Sequence, residues 1–131
     1  MRKGEIFLCP DFNFHDGCTG NKYFVILNNP PQDKFFLLIL TTTKPRLGWE
    51  NRPGCYVPSG CFFISANTQW FPDPTWLKFN SVYSVPYQEA IDKERNNTFR
   101  LRGLLTTECC NSVVNCIKMS FDITNEQKAL L

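Results

Sequence analysis

Apolar residues in this chain arrive in short runs, and breakers cut nearly every run off. Ile6 to Cys9 stops at Pro10, and Lys22 to Leu27 stops at Asn28-Asn29-Pro30-Pro31. Phe35 to Leu40 continues through Thr41-Thr42-Thr43 and ends at Pro45. Runs of this length, β-branched or aromatic and bounded by Pro, Gly and Asn, read as strands. The pattern predicts strands over Gly4–Phe14, Lys22–Leu27, Phe35–Leu40, Cys61–Ile64, Leu77–Val85 and Phe99–Leu104. His15 to Asn21 reads as a turn-rich loop, Trp70 to Pro74 as a Pro-bracketed turn, and Gln88 to Arg95 as a helical turn. Arg46 to Gly60 is a long irregular stretch, of a length that is often functional inside a compact domain.

One segment carries the helical period. Thr106 is suited to an N-cap, and Cys110, Val113, Val114, Ile117 and Phe121 recur on one face. Asn125 to Leu131 is expected to be a frayed tail. The expectation is mainly β (α+β): one domain over 1–124, a small closed barrel with one packed amphipathic helix, and a flexible tail over 125–131.

The chain can bury a core without staples, because 43% of its 131 residues are hydrophobic and 12 are Phe. A net charge of +2 excludes a protein that coats phosphate indiscriminately, so any RNA contact must come from a local patch. No run approaches the ~18 apolar residues that read as a membrane span. Met1 to Glu5 leads directly into an apolar run too short for a signal-peptide core. With an odd count of 7 Cys, this predicts a cytoplasmic protein with free, mostly buried thiols. A secreted disulfide scaffold is the rival reading. Paired Cys-x-x-Cys knuckles are absent, so no metal or other cofactor is expected. Cys18 near His15 is a weaker candidate for a Cys–His nucleophile pair.

Several segments, in order, resemble the PemK/MazF-like toxins, the ribonuclease halves of bacterial toxin–antitoxin pairs. They are Lys3-Gly4-Glu5-Ile6-Phe7-Leu8, Phe12 to Gly17, Lys22 to Asn29, Leu38 to Thr43, and Leu105-Thr106-Thr107-Glu108 with the amphipathic run after it. The resemblance implies an SH3-like or CcdB-like barrel and a homodimer. It also implies metal-independent cleavage of single-stranded RNA, and an antitoxin protein as partner.

Such cleavage needs a base for the ribose 2′-OH, positive charge on the phosphate and an acid for the leaving oxygen. The family's Arg before the second strand and Thr ending the third match Lys22 and Thr41. Lys22 keeps the charge without the planar fork. His15 is a candidate acid or base because its pKa lies near neutrality. Thr42, Lys44, Arg46, Trp49, Arg52 and Asn80 are the candidate RNA contacts, charge following the backbone and the ring stacking a base. Phe79-Asn80-Ser81 holds no carboxylate where some members have one. The alternative is a catalytically degenerate barrel that binds protein or RNA. A third class is a barrel acting on another target, as fold relatives that poison a topoisomerase do.

Overall fold

A computed structural model describes residues 1–13 and 19–131. His15 and Cys18 therefore lie outside the described residues. The strands are β1 (Glu5–Asn13), β2 (Thr19–Ile26), β3 (Phe35–Thr42), β4 (Gly54–Tyr56), β5 (Cys61–Ile64), β6 (Thr75–Pro86) and β7 (Arg100–Leu104). The helices are α1 (Tyr87–Arg95), α2 (Thr107–Lys118) and α3 (Asn125–Leu130). All strand pairings are antiparallel, in one curled seven-stranded sheet ordered β4-β5-β6-β3-β2-β1-β7. The fold is mainly β, as the run pattern implies.

The central strand shows why the runs are so apolar. Leu37 and Ile39 pack with Ile6, Val25, Leu77 and Phe79 under α2, whose Val113, Cys116 and Ile117 complete that cluster. Phe36, Leu38 and Leu40 point the other way, to Phe7, Phe24, Ile26, Ala90 of α1 and Phe99. Side chains alternate across a strand, so a strand buried on both faces must be apolar at every position.

The sheet corrects the expected closed barrel with a single helix: no hydrogen-bonded ladder joins β4 to β7, and helices cover both faces. Two other devices bridge the open edges. A disulfide joins Cys55 on β4 to Cys116 on α2, and this corrects the expectation that both thiols are free. The turn after β5 docks on β7: the Gln69 side-chain carbonyl accepts from the Thr106 N–H at 2.8 Å, and Trp70 lies against Gly103. Asn67, Gln69 and Trp70 all hold positive φ in that turn (61°, 51° and 75°), a strained backbone kept in place by these contacts. A Cβ on Gly103 would lie 2.5 Å from Trp70 Cγ. Gly103→Ala is therefore expected to destabilise the fold by about 1–3 kcal/mol, as overpacking does. Urea denaturation checks this, and an unchanged midpoint would contradict the docking.

α2 begins as the sequence predicts, with the Thr106 hydroxyl accepting from the Cys109 N–H at 3.2 Å. It ends earlier: Met119 caps it, and Phe121 is 98% exposed, not part of the buried stripe. Ile123 takes the core place instead. The expected frayed tail is also corrected. Asn125–Leu130 is a helix opened by a capping box between Thr124 and Gln127. It is tied to the sheet by Gln127 donating to the Val82 carbonyl and by Asn28 donating to the Leu130 carbonyl. The stretch between β3 and β5, read as irregular, contains β4, and the expected turn at Gln88–Arg95 is the full helix α1.

Candidate nucleic-acid interface

Alternation along paired strands decides which candidate residues meet. Phe24 stands opposite Leu40, so Lys22 and Thr42 share their face, while Tyr23 and Thr41 share the other. Thr42 is opposite Trp76 on β6, and Lys78 lies two residues further along on the same face, opposite Cys61. The face thus carries Lys22 and Lys78 above a small cluster of Cys61, Phe63 and Trp76.

Arg46 joins this pair from the loop after β3. Trp49 packs against the Cys61-Phe63-Trp76 cluster and donates its indole N–H to the Ser59 carbonyl at 2.8 Å. Trp76 donates its own N–H to the Glu50 carbonyl at 2.8 Å. These two anchors hold the loop on the sheet, and the Arg46 guanidinium lies 5.7 Å over the Trp49 ring. Trp49 is thus a platform for a cation.

The electrostatics register the crowding. Lys22 is half-buried, and burial first, then the neighbouring Lys78 charge, lowers its pKa to about 8. Lys78 is lowered too, by burial and by Arg46. Three cations therefore sit within reach of one another along one face. Glu50 comes from the same loop, close enough to raise the Cys61 thiol beyond what burial does. Perturbed groups gathered on one exposed face are a mark of a functional site.

The structure separates the two residues expected to act together. Thr41 is buried, its hydroxyl donates to the Tyr23 carbonyl at 3.1 Å, and it lines a cavity with Trp70 and Asp73 on the face away from Lys22. Thr42 is the threonine on the Lys22 face. Its hydroxyl is engaged with the Lys44 backbone, accepting from the N–H at 3.1 Å and donating to the carbonyl at 3.3 Å. Lys44 and Arg52 are exposed, and the Arg52 carbonyl accepts from the Tyr56 hydroxyl at 2.8 Å. Asn80 is exposed and accepts from the Ser81 hydroxyl at 3.2 Å. Sequence reasoning missed Lys78. Its signal is the period of two from Trp76, legible only once the partner strand is known.

Thiol chemistry is not poised among the described residues. Burial pushes Cys61 and Cys109 up to about 11 and raises Cys9 and Cys110, so these stay protonated near neutrality. Among the described residues, no three His, Cys, Asp or Glu side chains gather closely enough to hold a metal ion. No helix among them is long and apolar enough to cross a membrane. Compared with known proteins, the chain matches no family model and no curated protein.

Proposed function

We propose that this chain binds single-stranded RNA across the face formed by Lys22, Lys78 and Arg46. The observation that carries the reading is the clustering of these cations on one face of the sheet. A phosphate backbone laid across two neighbouring half-buried lysines offsets their mutual repulsion. The order of segments resembling PemK/MazF-like toxins supports the same reading. With it come a partly open SH3-like or CcdB-like barrel, a homodimer and an antitoxin partner as parts of the proposal.

Fluorescence anisotropy with a labelled single-stranded RNA tests it. Affinity should fall steeply with salt, and Lys22→Ala and Lys78→Ala should each lower the log–log salt slope by about 0.7, one phosphate contact on a single strand. Salt-independent binding, or binding untouched by both substitutions, would contradict the proposal. The pH dependence has a definite sign. A lysine lowered to about 8 is charged below that pH and neutral above it, whereas an ordinary lysine holds its proton to about 10.4. RNA affinity should therefore drop between pH 7 and pH 9, and most of that drop should vanish in Lys22→Ala.

A second reading, RNA cleavage, is favoured by one observation: an amine near 8 can exchange a proton close to working pH. In it Lys22 carries the proton and Lys78 and Arg46 hold the charge that develops on the phosphate. Thr41 has no part in it, being on the other face. Incubation of a long single-stranded RNA in EDTA checks this. Discrete products lost in Lys22→Ala support cleavage, and intact RNA with folded protein in excess leaves the chain a binding module.

A further inference from the structure

Beside the basic face, the sheet opens into a cavity of about 360 Å³. That is at the small end of the range of small-molecule sites, about 300–1,000 Å³. We infer that this cavity is a base-recognition pocket that takes guanine from the bound strand, with Asp11 reading its Watson–Crick edge. The inference rests on the RNA-binding reading and deepens it.

The pocket exists because β1 is bulged. Cys9 pairs with Lys22 but Phe12 pairs with Gly20, so β1 has one more residue than β2 over this stretch. Pro10 and Asp11 fill the bulge; Pro10 has no N–H to offer a ladder, and Asp11 takes φ +60°. In a regular strand successive side chains alternate between faces, yet Asp11, Phe12 and Asn13 all line this cavity. The bulge has re-aimed them.

The walls suit a flat ring. Phe24 and Phe99 meet edge to face at 4.8 Å and sit buried at its base. Phe12 and Tyr83 meet at 6.5 Å and 71°, and Tyr83 is partly exposed. A base extruded from a single strand is commonly held by aromatic stacking and read on its Watson–Crick edge.

The polar groups select the base. Asp11, Lys93 and Cys9 all line the cavity, and the Cys9 thiol feels both charges. An ionised carboxylate is an acceptor-only group with two oxygens, able to take two parallel donors. Guanine alone among the four RNA bases offers two adjacent donors on one edge, N1–H and the N2 amino group. Its O6 is an acceptor for the Lys93 ammonium, which also holds Glu89 at 3.3 Å. The connection to the basic face is direct. Cys9 in the pocket is the cross-strand neighbour of Lys22, and Phe24 is two residues along β2 from Lys22, roughly 6.6 Å. A nucleotide with its phosphate on Lys22 has its base at the pocket mouth.

Titration of the full chain with 5′-GMP, 5′-AMP, 5′-CMP and 5′-UMP, followed by NMR, tests this. GMP should bind at least about tenfold more tightly than the other three, shifting Phe12 and Phe99 resonances. Asp11→Asn should bring GMP to the level of the others. Asn tolerates positive φ as well as Asp does, so the bulge should persist. Lys22→Ala should weaken all four alike. Equal binding of the four nucleotides, or no shifts at Phe12 and Phe99, overturns the pocket. If Lys22-dependent RNA binding persists in that case, the RNA reading stands and only the pocket fails. If guanosine fills the pocket while RNA does not bind, the pocket stands and the RNA reading fails.

Discussion

Reduction of the Cys55–Cys116 disulfide should lower stability by roughly 4 kcal/mol. The two cysteines are 61 residues apart in sequence, and cross-linking a loop of that size removes about that much chain entropy from the unfolded state. For 131 residues this corresponds to a fall in Tm of roughly 10–15 °C. The local geometry points the same way. β4 is a three-residue edge strand paired only with β5, and the bond is what ties that edge to α2. Cys55→Ser should reproduce the effect of a reductant, and the reductant should then add nothing further. Cys109→Ser, on the same helix but outside the bond, should leave the reductant's effect intact. Thermal melts with and without reductant check all three. A Tm that ignores reductant would contradict the bridge.

Asn28→Ala is the second large effect, expected at roughly 2–4 kcal/mol from one buried N–H and two part-buried carbonyls left without their partner, at about 1–3 kcal/mol for a buried group and less for the others. Asn28 is 3% exposed and fully used. Its carbonyl accepts from the Leu37 N–H at 2.8 Å, and its amide donates to the Phe35 carbonyl at 3.0 Å and the Leu130 carbonyl at 3.1 Å. One side chain thus completes the start of β3 and holds the end of α3. The truncation leaves the Leu37 N–H buried without its partner. Chemical denaturation measures the loss. Hydrogen exchange localises it: amides of α3 should exchange faster than those of α2. Equal acceleration of both helices would show that Asn28 does not single out α3.

The sequence marks the strands well, and the reason is local. Runs such as Phe35–Leu40 are apolar at every position and ended by Pro or Asn, so their type and bounds follow from the residues themselves. β3 and β5 start where the pattern puts them, and α2 begins at its Thr106 cap. What failed depended on long-range partners. Phe121 fits the helical period but falls beyond a helix that ends at Lys118. Cys55 and Cys116 look like one loop thiol and one helix thiol until the curl of the sheet brings β4 against α2. The α3 helix was readable, since Thr124 followed by Gln127 has the spacing of a capping box.

The site was legible in part for the same reason. Lys22, Arg46 and Trp49 stand out by residue type and position, and they do gather on one face or on the loop anchored to it. Thr41 and Thr42 are adjacent and chemically alike. Only the register of β2 against β3 decides that Thr42 shares the face of Lys22. A shift by one residue reverses that assignment. Lys78 had no motif to announce it.

The most direct test of the central claim is an amide chemical-shift map of the protein titrated with a short single-stranded RNA. The shifts should concentrate at Lys22, Thr42, Arg46 and Lys78 and spread toward Phe12 and Asp11. Shifts confined to β7 and α2, or none at concentrations where RNA is saturating for other single-strand binders, would contradict the assignment of this face to RNA.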